Sequence, residues 1–393
     1  MKGFDHLLRA DIRGMEPYTP IVPFEVLSAR LSRAPEDLVK LDANENPYGP
    51  SPRAQAALAA GRYYHIYPDP EASALREALS RYIGQPKERL IAGMGADELI
   101  DLVLRALLEP GDAVIDCPPT FGMYPFSTAV NGGRVITVPR RADFGLDVAA
   151  IEAAVAATPR AKVLFICSPN NPDGSVVDDA TLRRLLALPL LVVLDEAYID
   201  FALADGFSSR MDWMSGYDNL VVLRTFSKLA GLAGLRVGYG AFPAWLWAHL
   251  WKIKQPYNVN VAASLAAVAA LEDEAWLRET VNRIVAERER IAREVAALGW
   301  LRPFPSHANF VLCRVGKRGS DCGGGAGPGV VPADDHRLAI ELKRGLEAEG
   351  VLVRHFNKPG LRDCIRISAG RPEDTDRLLA ALRRVEPTLI RAD

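Results

Sequence analysis

Between about residues 90 and 240 the chain alternates two kinds of segment, and no other feature constrains its fold as much. Continuous apolar, β-branched runs (AVIDC, RVITVP, KVLFICSP, LPLLVVLDEAY, NLVVLRTFS) are separated by helix-like stretches such as ADELIDLVLRALLEPG and DVAAIEAAVAATPR. A strand that is apolar on both sides must be covered on both sides. The pattern therefore predicts a mainly parallel sheet between helical layers, an α/β fold. In such a sheet the chemistry sits at the carboxyl ends of the strands, where the next loop begins. The chain has 393 residues, 49% of them hydrophobic, enough for a large core and two domains.

Past residue 262 the pattern changes. Residues 262–298 read as one or two long helices, followed by NFVLCRV, a helix near 333–349, VLVRHF and IRISAG, a smaller α+β unit. The Gly-rich stretch 316–332 reads as a flexible surface insertion, and it lacks the GxxxxGK[ST] spacing of a phosphate loop. With 47 basic and 49 acidic residues, the net charge of -2 gives no reason to expect a nucleic-acid or membrane partner. No run of 18 apolar residues suggests a membrane span. The N-terminal stretch has neither a signal-peptide apolar region nor a Ser/Arg-rich, acid-poor transit pattern, so a cytoplasmic protein is expected. A trimmed plastid protein would read the same way. The five cysteines are scattered, odd in number and form no CxxC pair, which argues for buried thiols in a reducing compartment. The six histidines show no ligand spacing, so no metal is assigned.

Chemistry-bearing motifs follow the strand-like runs. Lys228, in RTFSKLAGLAGLRVGYG, comes just after an apolar run. A buried ammonium is costly, and a Schiff base with the aldehyde of a cofactor such as pyridoxal phosphate removes that cost. A bare Ser-Lys pair would more often be a surface lysine beside a helix start; the longer string favours the chemical role. Asp195, in VVLDEAYIDF, ends a buried strand and needs a positive partner, for which a protonated pyridine nitrogen is suited. Tyr198 and Asn171, the latter held in SPNNPDG, could both reach the phenolic oxygen of such a ring. The bland alternatives are an N-capping aspartate and an ordinary turn. Backbone N–H groups at Ala96 and Asp97, where a helix opens after AGMG, suit a phosphate, with Ser227 and Arg236 completing the cradle. Phe121 in CPPTFGMY could stack on the ring or simply pack in the core.

Taken together, EPYTPIVPFEVLS, KLDANENPYGPSP, YPDP, GADELIDL, PPTFGMY, SPNNPDG, VVLDEAYIDF, VVLRTFSKLAGLAGLRVGYG, KQPYNVN, SHANFVL and IRISAG, in this order, resemble the fold-type I, class II pyridoxal-phosphate aminotransferases. Within them the likeness is to the histidinol-phosphate aminotransferases, over nearly the whole chain. The resemblance implies a large domain (46–270) with a mainly parallel seven-stranded sheet between helices. It also implies a smaller α+β domain (271–393), and an N-terminal segment (1–45) packing on the small domain and a dimer partner. It makes Lys228 the Schiff-base lysine, Asp195 the pyridinium partner, Asn171 and Tyr198 the phenolate contacts, and Ala96, Asp97, Ser227 and Arg236 the phosphate site. It implies that Tyr67 reaches the neighbouring subunit's cofactor phosphate in a homodimer. It implies that Arg366 binds the amino donor's carboxylate or the substrate phosphate, with Arg354 a second phosphate ligand and Tyr18 and Asn46 lining the mouth. The implied reaction is transamination between L-histidinol phosphate and 2-oxoglutarate. A fork-shaped guanidinium suits carboxylate and phosphate alike, so one arginine can serve both substrates. Asp173 replaces a commoner Thr, SKLAG a commoner SKAFG, and Phe121 a commoner Tyr. An aromatic amino-acid aminotransferase or a threonine-phosphate decarboxylase would share most motifs. A regulator with a DNA-binding module would need more chain than the 40 or so residues before NENPYG.

Overall fold

The computed structural model describes residues 4–18, 22–316 and 333–390. Each of the five apolar runs is a strand. They become β3 (Ala113–Asp116), β4 (Arg134–Thr137), β5 (Ala161–Cys167), β6 (Leu191–Asp195) and β7 (Leu220–Thr225). Two further strands, β2 (Leu90–Gly93) and β8 (Gly238–Ala241), complete a seven-stranded sheet in the order β2-β8-β7-β6-β5-β3-β4. From β7 to β4 the pairings are parallel, while β8 runs antiparallel to both its neighbours. The sequence of β8, GYGA, has too little apolar surface to read as a strand, yet all four residues are buried.

Side chains alternate across this sheet, as strand geometry requires. Ile115, Leu164, Leu194 and Val222 enter the core on one face, and Val114, Phe165, Val193 and Val221 enter the core on the other. Helix Gly95–Leu107 covers the second face. Its apolar stripe Leu99, Ile100, Val103 and Leu104 is fully buried, at about 1.5–3 kcal/mol of stabilisation for each side chain. Asp97 and Glu98 in its first turn and Arg105 in its last complement the helix dipole.

A second sheet has the order β1-β11-β12-β10-β9, from β1 (Val39–Leu41), β9 (Leu301–Pro303), β10 (Phe310–Val315), β11 (Val351–His355) and β12 (Cys364–Ser368). β1 pairs parallel to β11 although about 310 residues separate them, with Val39 opposite Val351. Helix Glu274–Ala297 connects the two sheets. Its Arg288, 2% exposed, donates to Asp205 at 2.9 Å and to the carbonyl of Ala308 at 3.3 Å. Where the small sheet's loop meets the large one, Gly174 has φ +85°, and a Cβ there would fall 2.0 Å from Ser306 Oγ. Only glycine fits that approach.

Cys117, Cys167, Cys313 and Cys364 are buried free thiols, as their scatter suggested. Among the described residues no helix is long and apolar enough to cross a membrane, and no cluster of metal-ligating side chains is present. Apart from Gly316, the Gly-rich stretch falls outside the described residues, as does Cys322.

Candidate active site

The carboxyl ends of β3, β5, β6 and β7 open into a cavity of about 1120 Å³. Its walls include Lys228, Asp195, Tyr198, Asn171, Phe121, Ala96, Asp97, Ser227, Arg236, Tyr18, Arg354 and Arg366. Twelve of the fourteen residues singled out from sequence therefore share one space. The other two are elsewhere.

Lys228 follows β7 and is partly buried. Its Nζ donates to the carbonyl of Ala43 at 3.1 Å and lies 5.9 Å from the Tyr198 ring centroid. Burial, reinforced by the Arg366 cation, lowers its pKa to about 8. A larger share of this amine is thus neutral and nucleophilic near neutral pH than of an ordinary lysine.

Asp195 ends β6 and is 3% exposed. Its oxygens accept hydrogen bonds from Tyr124 Oη (2.7 Å) and from the amide of Ala197 (3.0 Å), and neither donor is a cation. Burial pushes its pKa up to about 6, with both hydrogen bonds opposing the rise. Tyr124 was not read from the sequence. Its ring is fully buried, stacked on Phe165 at 4.7 Å and 2°, with Phe121 edge-on at 5.5 Å. That stacking fixes the hydroxyl on the carboxylate.

Beside the start of helix Gly95–Leu107, Arg236 reaches Asp97 at 3.0 Å and Ser227 Oγ at 3.4 Å. Ser227 is itself held by Thr225, whose hydroxyl lies 2.9 Å away. Gly95 has φ +78°, and a Cβ on it would sit 2.6 Å from the Arg236 guanidinium. A free helix start, a hydroxyl and an arginine form a cradle for a phosphate.

Arg366, in the middle of β12, is 5% exposed. It donates to Asn171 Oδ1 at 2.6 Å and to the carbonyl of Asp42 at 2.8 Å, while its buried Nε has no partner among the described residues. Burial lowers its pKa to about 10, and nearby Arg354 opposes its charge further. Arg354 stands opposite Arg366 in the β11–β12 register, so two guanidinium groups flank the same space. Tyr18 meets Phe126 edge-on at 6.1 Å.

Asn46 does not line the cavity. It is 8% exposed, donates to the carbonyl of Leu229 at 2.8 Å, and accepts from the amide of Tyr48. The cavity-facing asparagine of that motif is Asn44, with φ +55°. It donates to Tyr198 Oη at 3.0 Å, accepts from Ser368 Oγ at 2.9 Å, and its carbonyl accepts from Asn309. Tyr67 lies outside the cavity too. It is 79% exposed and stacks on Tyr257 at 4.7 Å, beside the exposed Tyr63, Tyr64 and Ile66.

The residues fit pyridoxal phosphate on the chemistry they offer. A buried carboxylate without a cation among the described residues matches a pyridinium nitrogen, the anion cradle matches the phosphate, and the amine of Lys228 lines the same cavity.

Residues 36–382 match the model of the aminotransferase class I and II family. A histidinol-phosphate aminotransferase of Roseiflexus castenholzii is 53% identical over 384 residues, 96% of this chain and 98% of that one. The chloroplastic histidinol-phosphate aminotransferase 1 of Arabidopsis thaliana is 49% identical over 380 residues, 97% of this chain and 86% of that one. Among solved structures, the histidinol-phosphate aminotransferase of Sinorhizobium meliloti in complex with pyridoxal-5'-phosphate superposes with a TM-score of 0.84 at 30% identity, covering 99% of each chain.

Proposed function

The chain belongs to the class I and II aminotransferase family, and from that premise we propose that it transfers an amino group from L-histidinol phosphate to 2-oxoglutarate. The products are imidazole-acetol phosphate and L-glutamate, and the step belongs to histidine biosynthesis. One observation carries the reading. Among the described residues Asp195 is a buried anion without a cation and Arg366 a buried cation without a directly bonded carboxylate, and both line one cavity together with Lys228. Both charges await a ligand that is positive at one point and anionic at another.

Pyridoxal phosphate, when bound, supplies the aldehyde that takes up the amine and a ring that withdraws electrons from the bond being broken. Asp195 keeps a proton on the ring nitrogen. Lys228 would hold the cofactor's aldehyde carbon and would serve as the base and acid that moves a proton at the substrate carbon bearing the amine. Arg366 would bind the phosphate of one substrate and the carboxylate of the other, Arg354 would add a second phosphate contact, and Asn171 and Tyr198 would hold the phenolic oxygen of the cofactor. Ser227 and Arg236, with the amides at Ala96 and Asp97, hold the cofactor phosphate.

We assign the large unit to residues 46–270, the small one to 271–393 and the N-terminal segment to 1–45. A homodimer is part of the same reading, supported by the exposed aromatic face of Tyr63, Tyr64 and Tyr67, with Tyr67 reaching across to the neighbour's cofactor phosphate. The buried free thiols support a reducing compartment such as the cytoplasm. The test is a panel of amino donors. Histidinol phosphate should far exceed phenylalanine in kcat/KM, and a preference for phenylalanine would overturn the substrate assignment.

A further inference from the structure

The cavity extends sideways from Asp195 to a second buried carboxylate that the reaction above does not use. Asp116 ends β3. By strand alternation it projects to the same face as Val114, the face that Val193 and Asp195 share on β6. One strand, β5, separates them, placing the two strand ends about 10 Å apart. Asp116 is 4% exposed, and among the described residues its Oδ1 has no hydrogen-bond partner.

Two cations face it, Arg140 and Lys358. The Arg140 guanidinium is committed to the carbonyls of Cys117 (3.2 Å) and Phe144 (2.9 Å). Lys358 lines the cavity, and its Nζ lies 3.6 Å from where a Cβ on Gly122 would stand; Tyr18 closes on the same glycine at 3.7 Å. The surrounding wall is Tyr18, Phe126, Pro125 and Thr137. A mostly apolar stretch of cavity wall, beside a carboxylate with one acceptor unmet among the described residues, suits a ring that carries an N–H.

A buried carboxylate with an acceptor unmet among the described residues needs a donor. The phosphate of histidinol phosphate, when ionised, offers only acceptors and is drawn to the two arginines of β11 and β12. Its imidazole offers the N–H. We propose that Asp116 determines specificity for the substrate ring by accepting a hydrogen bond from an imidazole N–H at its carboxylate, an inference that rests on the histidinol-phosphate reading above. Burial raises the Asp116 pKa to about 6, close to the ordinary value of about 6.5 for an imidazole, so the pair can hold one shared proton. A phenyl ring in the same slot leaves the carboxylate unmet. Sites built around such a donor reject the analogue lacking it by as much as about 10⁴-fold.

The test compares histidinol phosphate with phenylalaninol phosphate, which keeps the amine and phosphate and lacks the ring N–H. The ratio of their kcat/KM values on one preparation is independent of how much protein is folded. Asp116→Ala should lower the wild-type ratio by about 100-fold or more, through loss with histidinol phosphate. Asp116→Leu, of similar size and with no acceptor, should lower it in the same direction and carries the test if the alanine variant does not fold. A ratio that moves by less than about tenfold in both variants overturns the proposal. Equal loss with both donors does so too, and would mark Asp116 as a partner of Lys358. A wild type that rejects histidinol phosphate overturns the function itself, which distinguishes that failure from failure of Asp116 alone.

Discussion

Replacing Asp195 by asparagine should stabilise the protein without cofactor and weaken it with cofactor, because the carboxylate is placed for a cation it does not have on its own. Burial raises its pKa from 3.8 to about 6 even with two hydrogen bonds opposing. At about 1.4 kcal/mol per pH unit, the rise corresponds to about 3 kcal/mol. The sign follows from proton linkage. The folded carboxyl binds a proton more tightly than the unfolded one, so folded wild type loses stability as pH rises from about 4 to about 6. The asparagine side chain carries no such penalty and keeps the size needed to meet Tyr124 and Ala197. Urea unfolding of cofactor-free protein should therefore show Asp195→Asn more stable by up to about 3 kcal/mol at pH 8, with the gain fading towards pH 4. Saturating pyridoxal phosphate should reverse the order, since only wild type offers the ring nitrogen an anion. A variant less stable than wild type at pH 8 refutes the unmet-charge reasoning. So does cofactor protection of equal size in both proteins.

Other expectations follow from the same geometry. Lys228→Ala should not develop the yellow absorbance that wild type gains with pyridoxal phosphate. In wild type the rate of cofactor capture should rise with pH through about 8, where the amine loses its proton, rather than through the ordinary lysine range; stopped-flow absorbance reads this. Arg366→Ala should slow both half-reactions by about 30-fold or more, the scale for removing one member of a buried charge pair, while Arg354→Ala should mainly slow histidinol phosphate. Equal losses with glutamate in the Arg354 variant would contradict that division, read from single-turnover rates. Gly174→Ala should cost at least about 1–2 kcal/mol in thermal unfolding, because φ +85° is strained for alanine and its Cβ meets Ser306.

The architecture of the large sheet could be read from the chain because burial on both faces leaves a direct mark. Val163–Cys167 and Leu191–Leu194 have no polar side to show water. Asp195 at the end of the second run, and Lys228 shortly after the equally apolar β7, stand out against them, so they were found as well. β8 was hidden because GYGA is buried by close backbone packing rather than by side-chain bulk. The pairing of β1 with β11 had no local signal, since three residues do not reveal a partner some 310 positions away.

At the site, residue type settled which chemistry was available, and only the tertiary structure decided which atoms meet. KLDANENPYG contains two asparagines that look equivalent in sequence. The backbone at Asn44, turned to φ +55°, aims one at Tyr198, while Asn46 is spent holding Leu229 beside the lysine. Tyr124 carried no signal in the sequence, and only the fold sets its hydroxyl 2.7 Å from Asp195. Asp116 carried no signal either, and only the fold brings it to the cavity wall with its Oδ1 unpartnered among the described residues. Hydrophobic patterning is a property of neighbours along the chain, so sequence determined the layers, the strand ends and the lysine. Hydrogen bonding over 3 Å is a property of neighbours in space, so only the folded chain determined who holds Asp195, what Arg366 lacks, and where a substrate ring could find its acceptor.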